Sequence, residues 1–148
     1  MKVSTRVEYG VLALADIALY SDGGTSVPAL EIARRQGISK KYLEQILPLL
    51  RQARLIRAQK GLRGGYLLAR PAGEITLSDI LNALDNSLLE SMPVADGRGT
   101  AGLAEVVNAC LWGKINQHLN TYASSVTLAD FLTECKGRIP QDWDLYVI

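Results

Sequence analysis

The chain has few of the residues that cross-link proteins, ligate metals or catalyse reactions. Its 148 residues include two cysteines, Cys110 and Cys135, and a single histidine, His118. Two thiols are too few for a disulfide framework, which favours a cytoplasmic location. One histidine, with no nucleophile and base at catalytic spacing, gives no support for an enzyme. We therefore expect a non-enzymatic protein without structural disulfides.

Long hydrophobic runs are also absent. The most apolar early stretch, YGVLALADIALY, is interrupted by Asp16 and is shorter than the roughly 20 apolar residues that cross a bilayer. The sequence opens with no basic segment that leads into an uninterrupted apolar run, as a signal peptide would. We interpret the stretch as a buried helix and expect no membrane partner.

Charge is nearly balanced in total but unevenly placed along the chain. The formal net charge is +1, yet residues 1–71 carry twelve Lys and Arg against five Asp and Glu, while residues 72–148 carry four against ten. This asymmetry indicates a basic half that binds a polyanion and an acidic half with a different role.

The hydrophobic spacing near the start predicts two helices. Thr5 and Glu8 have the spacing of a capping box, and apolar residues then recur at helical intervals over residues 6–20. Pro28 is placed to open a second helix, and Gly37 to end it.

The next segments complete a winged helix-turn-helix. Ser39 can cap a third helix, whose apolar positions share one face: Leu43, Ile46, Leu47 and Leu50. Two short β-prone runs follow, LIRAQ and GYLLA, and the basic, Gly-rich segment KGLRGG between them indicates a hairpin. The pattern predicts a mainly α fold with a small β-hairpin, in which residues 1–85 form a winged helix-turn-helix domain.

The rest of the chain predicts a capped helix, a loop and a long helix. Thr76 and Asp79 have the spacing of a capping box at the start of the capped helix. Their segment, ITLSDIL at residues 75–81, resembles VTLADFL at residues 126–132, so we interpret the two as the same type of helix cap used twice. Residues 86–103 show no hydrophobic periodicity typical of a helix or a strand, and we predict that they form a flexible loop. Residues 104–148 are then expected to form a dimerisation helix and a C-terminal tail.

The long helix, predicted over residues 104–124, carries an apolar stripe. Its expected dimerisation residues are Val107, Leu111, Trp112, Ile115, Leu119 and Tyr122. Such a stripe must pack on other apolar surface. Folding back onto its own domain is one solution, but in so short a chain we expect the helix to pair with a second copy.

The helix-turn-helix and hairpin are strongly basic. Between residues 34 and 70, ten Lys and Arg are opposed by Glu44 alone, a local charge of +9. Cations distributed over a winged helix-turn-helix indicate that it binds double-stranded DNA, because their contacts with DNA phosphates give affinity that does not depend on base sequence. The predicted DNA-contacting residues are Arg6, Arg34, Ser39, Lys40, Lys41, Tyr42, Glu44, Gln45, Arg51, Arg54, Lys60 and Arg63.

The start of the third helix carries the residues expected to read bases. Lys41, Glu44 and Gln45 lie at offsets of three and four and can reach base edges in the major groove, with Gln45 suited to adenine and Glu44 to a cytosine amino group. Tyr42 has two open interpretations: a phosphate contact through its hydroxyl, or packing of its ring on the wing.

Several long segments resemble the Rrf2 family of bacterial transcription regulators. They are MKVSTRVEYGVLAL, VPALEIARRQGISKKYLEQIL, LIRAQKGLRGGYLLARPAGEITLSDILNALD and, near the end, LW and SVTLADFL. The resemblance implies a homodimer, crossed through the long helix, that reads a palindromic operator as a repressor. It further implies control of genes for sulfur, iron-sulfur or redox metabolism.

The resemblance also assigns individual residues. Tyr42, Glu44 and Gln45 match recognition-helix positions of the family, and Lys60 stands where the wing more often has Arg. Lysine keeps the charge but loses the forked hydrogen bonding of a guanidinium. Glu8 matches a first-helix carboxylate that some members use with a histidine, but leucine replaces that histidine here, so we prefer the capping role.

The sensing site departs from the family pattern. Members with an iron-sulfur cluster carry three grouped cysteines before the long helix and often a histidine. Residues 86–109 contain neither residue type, and Val106 and Ala109 stand at two of the ligand positions. We expect no cluster and no other cofactor, and a character like that of members that sense through a partner protein or a thiol.

The two cysteines are the candidates for redox control. Cys110 adjoins the apolar stripe and is expected to be buried, whereas Cys135, in ECKG, is expected to be exposed and oxidisable. Cys110 and His118 are eight positions apart, roughly 12 Å along a helix, which is too far for one ion within a chain. A metal shared between protomers stays open.

A second function class also stays open. The acidic half, which ends in WDLYVI, would dock a metabolic enzyme, and DNA binding would be secondary. Salt-sensitive duplex affinity in the protein purified alone favours the regulator, whereas stoichiometric co-purification with an enzyme favours the interaction protein.

Overall fold

The computed structural model describes residues 1–91 and 102–139. Its α-helices are α1 (Thr5–Tyr20), α2 (Ala29–Gln36), α3 (Lys40–Gln52), α4 (Leu77–Leu84), α5 (Leu103–Val107), α6 (Gly113–Ser125) and α7 (Leu128–Arg138). Its strands are β1 (Ile56–Gln59) and β2 (Gly65–Leu68). The mainly α fold with one hairpin is therefore confirmed. No helix in the described ranges is long and apolar enough to span a bilayer.

The cap of α1 differs from the predicted capping box. The Oγ of Ser4 accepts a hydrogen bond from the backbone N–H of Val7 at 3.2 Å, and the backbone N–H of Glu8 bonds to the carbonyl of Ser4. The extended backbone of Ser4 brings its hydroxyl to the free amides of the first turn. The prediction that Thr5 and Glu8 form the cap is wrong, and Glu8 is an exposed side chain on the helix.

The helix-turn-helix follows the prediction closely. Gly37 ends α2 with φ of 65°, a conformation that costs glycine nothing. The Oγ of Ser39 accepts from the N–H of Tyr42 at 3.1 Å and caps α3. The predicted apolar face of α3 is buried in the core, as shown by Leu43, Ile46, Leu47 and Leu50.

The wing is a hairpin that is joined to the helical part by one further bridge. Strands β1 and β2 pair antiparallel, with Ile56 opposite Leu68. Val27, just before α2, exchanges two backbone hydrogen bonds of 2.9 and 2.8 Å with Tyr66 of β2. A Cβ at Gly65 would lie 2.5 Å from the carbonyl oxygen of Val27, so only glycine lets the two segments approach this closely.

The long helix is continuous over residues 103–125 but contains a π-helical segment, Asn108–Trp112, between α5 and α6. The N–H of Gly113 bonds to the carbonyl of Asn108, and a Cβ at Gly113 would lie 2.7 Å from that oxygen. One face folds back onto the chain, because the amides of Asn116 and Asn120 donate to the carbonyl of Leu89 at 2.8 and 3.0 Å. The expected loop over residues 86–103 has a 3₁₀ turn at Asn86–Leu88, and its residues 92–101 lie outside the described ranges.

The two later capping boxes, at the starts of α4 and α7, are confirmed, and they lie side by side. Thr76 with Asp79 and Thr127 with Asp130 each form the reciprocal pair of hydrogen bonds. The two segments also pair antiparallel, because the N–H of Leu77 donates to the carbonyl of Val126 and the N–H of Leu128 donates to the carbonyl of Ile75. The segment that begins α7 thus packs on the winged domain. The expected tail, residues 140–148, lies outside the described ranges.

Candidate nucleic-acid interface

The first turns of α3 present the side chains expected to read bases. Lys41, Glu44 and Gln45 are exposed, because the buried face of the helix points the other way. Lys40 and the capping Ser39 are exposed beside them. The structure therefore brings together on one solvent face the residues that the sequence grouped for the major groove.

Tyr42 has a ring partner that the sequence did not indicate. It is half-buried, and its ring meets that of Tyr9 in α1 edge to face, with ring centroids 5.3 Å apart. The ring partner that the structure shows lies in α1, and both the phosphate contact and the packing on the wing stay predictions. The ring contact fixes the side chain at the start of α3 and is compatible with a phosphate contact by its hydroxyl.

Three of the ten cations counted in the basic segment are engaged by carboxylates outside it. Arg34 pairs with Glu31 at 2.6 Å, Arg35 with Asp16 at 2.8 Å, and Arg70 with Asp79 at 3.4 Å. The hydrogen bond from Arg34 holds the pKa of Glu31 below its ordinary value. The basic surface is therefore smaller than the sequence count of +9 suggests.

The other seven cations are exposed and form no salt bridge within the described part of the chain. They are Lys40, Lys41, Arg51, Arg54, Arg57, Lys60 and Arg63. Their charges are thus available to a polyanion.

Arg35 is a structural residue that sequence reasoning missed. Its guanidinium donates two hydrogen bonds of 2.9 and 2.8 Å to the carboxylate of the buried Asp16 in α1. The side-chain amide of Gln36 donates a third hydrogen bond to the same carboxylate at 2.8 Å. The guanidinium also lies 3.9 Å from the ring centre of Tyr20. Hydrogen bonding to Asp16 is the main cause that raises the pKa of Arg35. The signal was Asp16 itself, a carboxylate in an apolar helix that must find a cation when it is buried.

The hairpin tip carries two of the predicted phosphate contacts. Lys60 and Arg63 are exposed in the loop between β1 and β2, and the hydroxyl of Ser26 donates to the carbonyl of Arg63 at 2.5 Å. Leu62, between them, is fully exposed and was not singled out from the sequence. An apolar side chain flanked by cations at a wing tip suits a minor groove.

A basic cleft lies between the end of α3 and the hairpin. It is an open cleft of about 540 Å³, lined by the apolar residues Ile56, Ala58 and Ala69 and by the cations Arg51, Arg54, Arg57, Lys60 and Arg70. Arg54 adopts φ of 61°, a left-handed conformation that costs a residue with a Cβ about 1 kcal/mol or more. We refer to this feature as the basic cleft.

Arg6, also predicted to contact DNA, is exposed in the first turn of α1. The backbone hydrogen bond from Ser87 is the main cause that lowers the pKa of Asp85, and the charge of Arg6 adds to it. No contact shown among the described residues joins Arg6 to α3.

The predicted dimerisation stripe has an uncovered face. Leu111, Ile115 and Tyr122 are 52, 55 and 60% exposed, and Trp112 is 45% exposed. Val107 and Leu119 are half-buried. Large apolar side chains in a contiguous exposed row are unusual on a monomer surface.

The two cysteines differ in exposure from what the sequence suggested. Cys110 is exposed, so the prediction that it is buried is wrong. Cys135 is half-buried, which is less exposed than expected. Cys110 lies in the π-helical segment on the outward side of the long helix, whereas α7 turns one face toward the winged domain. Within residues 1–91 and 102–139, no cluster of three His, Cys, Asp or Glu could hold a metal ion.

Comparison with known proteins gives a consistent result. The Rrf2 family model, described as an iron-dependent transcriptional regulator, matches residues 3–134. The HTH-type transcriptional regulator IscR of Cereibacter sphaeroides is 35% identical over 135 residues, which span 89% of this chain and 87% of the relative.

Two solved structures have a similar fold over most of this chain. IscR of T. potens has a TM-score of 0.74 and 33% identity, covering 99% of this chain and 97% of that chain. CymR, the global cysteine regulator of B. subtilis, has a TM-score of 0.74 and 27% identity, covering 90% of this chain and 98% of that chain.

Proposed function

Because this chain belongs to the Rrf2 family of transcriptional regulators, we propose that it is a homodimeric repressor that reads a palindromic operator without an iron-sulfur cluster. The observation that carries the proposal is the exposed set Lys41, Glu44 and Gln45 on the first turns of α3. A helix inserted into the major groove presents such side chains to base edges.

The recognition elements divide into base-reading and phosphate-binding parts. Glu44 and Gln45 read bases, because a carboxylate accepts from cytosine and a carboxamide pairs with adenine. The exposed cations of α3 and the wing bind phosphates and supply sequence-independent affinity. Lys60 and Arg63, with Leu62 between them at the tip of the wing, bind in the minor groove next to the major groove that α3 enters.

The exposed face of the long helix supports the homodimer. Leu111 and Ile115 are more than half exposed, while the opposite face of the helix is hydrogen bonded to Leu89 through Asn116 and Asn120. A second copy of the same helix gives this row a self-complementary apolar partner. A two-fold dimer of winged domains then matches a palindrome.

The iron implied by the family description does not fit the donors of this chain. The whole sequence has two cysteines and one histidine, which is fewer thiolates than iron-sulfur clusters use as ligands. We propose that control of sulfur, iron-sulfur or redox genes is exerted without a cluster. Cys110 is the more accessible thiol and the first candidate for oxidation, with Cys135 the second.

The alternative of an interaction protein that docks a metabolic enzyme stays a prediction. Its expected docking tail lies in residues 140–148, outside the described ranges. No specific contact within the described residues favours it over DNA binding.

The test is selection of binding sites from a random duplex pool, followed by titration at several salt concentrations. The protein should select a palindrome and lose affinity steeply as salt rises. Glu44→Ala or Gln45→Ala should alter base preference at defined positions, and Arg51→Gln should weaken all sequences similarly. Arg138→Gln, an exposed change on α7, is the matched control. Millimolar affinity for every duplex at low salt would refute the proposal.

A further inference from the structure

The tip of the wing presents an apolar side chain whose exposure the phosphate contacts of the neighbouring cations do not explain. The relative exposure of Leu62, 109%, is the largest of any large apolar side chain in the described ranges. A leucine that stays in water contributes nothing to the core, whereas its transfer to an apolar environment is favourable. Leu62 therefore fits a partner that offers it an apolar surface.

The turn that carries Leu62 is ordered by hydrogen bonds. The N–H of Gly64 donates to the carbonyl of Gly61 at 3.0 Å, which makes Leu62 and Arg63 the two central residues of a β-turn. Gly61 adopts φ of 120°, which glycine takes without strain. The hydroxyl of Ser26 donates to the carbonyl of Arg63 and so joins the turn to the segment before α2. Because the turn is already formed, little conformational entropy is lost when Leu62 binds.

The charges beside Leu62 indicate the chemistry of its partner. Lys60, which also lines the basic cleft, and Arg63 are both exposed, and the loop of residues 60–64 contains no carboxylate. An apolar side chain between two cations fits DNA, because a groove is bordered by phosphates and the faces of unstacked bases are apolar. Minor-groove proteins insert leucine and similar side chains between base steps in this way.

We propose that Leu62 inserts between two adjacent base pairs from the minor groove, partly unstacks them and bends the operator. The proposal rests on the proposed DNA-binding function and adds to groove contact a deformation of the DNA. Pyrimidine–purine steps, TA and CA, are the most easily kinked, so the wing selects them without a hydrogen bond to a base. In the proposed homodimer, the two copies of Leu62 act at symmetric positions of the palindrome.

The first test is selection of sites from a random duplex pool by the unmodified protein and by Leu62→Ala. The unmodified protein should select a pyrimidine–purine step at two symmetric positions, and the variant should lose that preference while it keeps the preferences assigned to Glu44 and Gln45. Replacement of the selected steps by AA, which is stiffer, should weaken binding of the unmodified protein about tenfold and that of Leu62→Ala only about twofold.

The second test measures unstacking and bending directly. A 2-aminopurine placed at the selected step becomes more fluorescent when its stacking is lost, and electrophoresis of circularly permuted duplexes should show a bend of about 20–90°. Leu62→Met keeps a long apolar side chain and should retain both signals, whereas Leu62→Ala should lose them. Leu30→Ala, a change of an exposed leucine on α2, is the matched control and should retain both.

The outcomes separate insertion from the proposed function. Leu62 is fully exposed, so Leu62→Ala should melt at the temperature of the unmodified protein. An undiminished bend and fluorescence signal in Leu62→Ala overturns the insertion while operator binding stands, and so does operator binding by the unmodified protein without either signal. Failure of the unmodified protein to bind any duplex overturns the proposed function itself. Loss of self-association in Leu62→Ala would assign the leucine to a protein contact and overturn the insertion.

Discussion

Arg35 of α2 holds Asp16 of α1 through two parallel hydrogen bonds, from Nε to Oδ2 at 2.9 Å and from Nη2 to Oδ1 at 2.8 Å. The carboxylate is fully buried and the guanidinium nearly so. This pair joins α1 to α2, the first helix of the helix-turn-helix.

Removal of one partner from this pair should be strongly destabilising. Arg35→Met leaves an uncompensated buried carboxylate, which costs about 3–5 kcal/mol in the free energy of unfolding. Urea denaturation measures the loss. The double variant Arg35→Met, Asp16→Leu should recover much of it, because no buried charge remains.

Arg34→Met is the matched control, since Arg34 is half exposed in its salt bridge with Glu31. It should change stability little. Equal losses for the Arg34 and Arg35 variants would contradict the role assigned to the buried pair.

Gly65 should not tolerate a side chain. The methyl group of Gly65→Ala would meet the carbonyl of Val27 at 2.5 Å and push β2 away from its bridge, at a cost of about 1–3 kcal/mol. Thermal unfolding measures the loss, and duplex titration should show weaker binding because the wing is displaced. Gly137→Ala on α7, where the added methyl group has no neighbour within 4 Å, should instead stabilise slightly. A Gly65→Ala protein as stable as the unmodified one would contradict the close approach.

Local signals in the sequence were sufficient to predict most elements. Gly37, Ser39 and Thr76 each act on amides or carbonyls within a few residues, so the sequence around them determines their geometry. The sequence-based prediction misplaced the N-cap of α1 by one residue, because the hydroxyl of either Ser4 or Thr5 can cap a helix. The backbone conformation decides which of the two is the cap.

Contacts between distant residues could not be predicted in the same way. Arg35 and Asp16 are 19 positions apart. The local charge count of +9 therefore included Arg35, because neighbouring residues do not show which cation pairs with a buried carboxylate. The contact of Tyr42 with Tyr9 and the exposure of Cys110 likewise depend on how the helices pack. For the candidate site, the sequence predicts the residues, and helix packing determines which of them are accessible to solvent.

The exposed row on the long helix should drive dimer formation. The double variant Leu111→Asp, Ile115→Asp places charge in the centre of the row and should give monomers that keep the winged domain folded but lose palindrome binding. Sedimentation velocity measures the association state, and circular dichroism the folding. Gln117→Asp adds the same charge at an exposed position on the other side of the helix from Ile115 and should stay dimeric. If sedimentation velocity shows that the unmodified protein is a monomer at micromolar concentration, the proposed dimer is wrong.

Reconstitution with iron and sulfide under strictly anaerobic conditions should leave the protein colourless. Each chain supplies two thiolates, and they lie in separate helices, Cys110 in the π-helical segment and Cys135 in α7. Three thiolates from one chain cannot be assembled, so no stable thiolate-to-iron absorption is expected in the visible spectrum. After desalting, the spectrum and iron content should match those of the double variant Cys110→Ser, Cys135→Ser. A brown protein with stoichiometric iron and labile sulfide, lost in that variant, would show instead that two chains together build a cluster site.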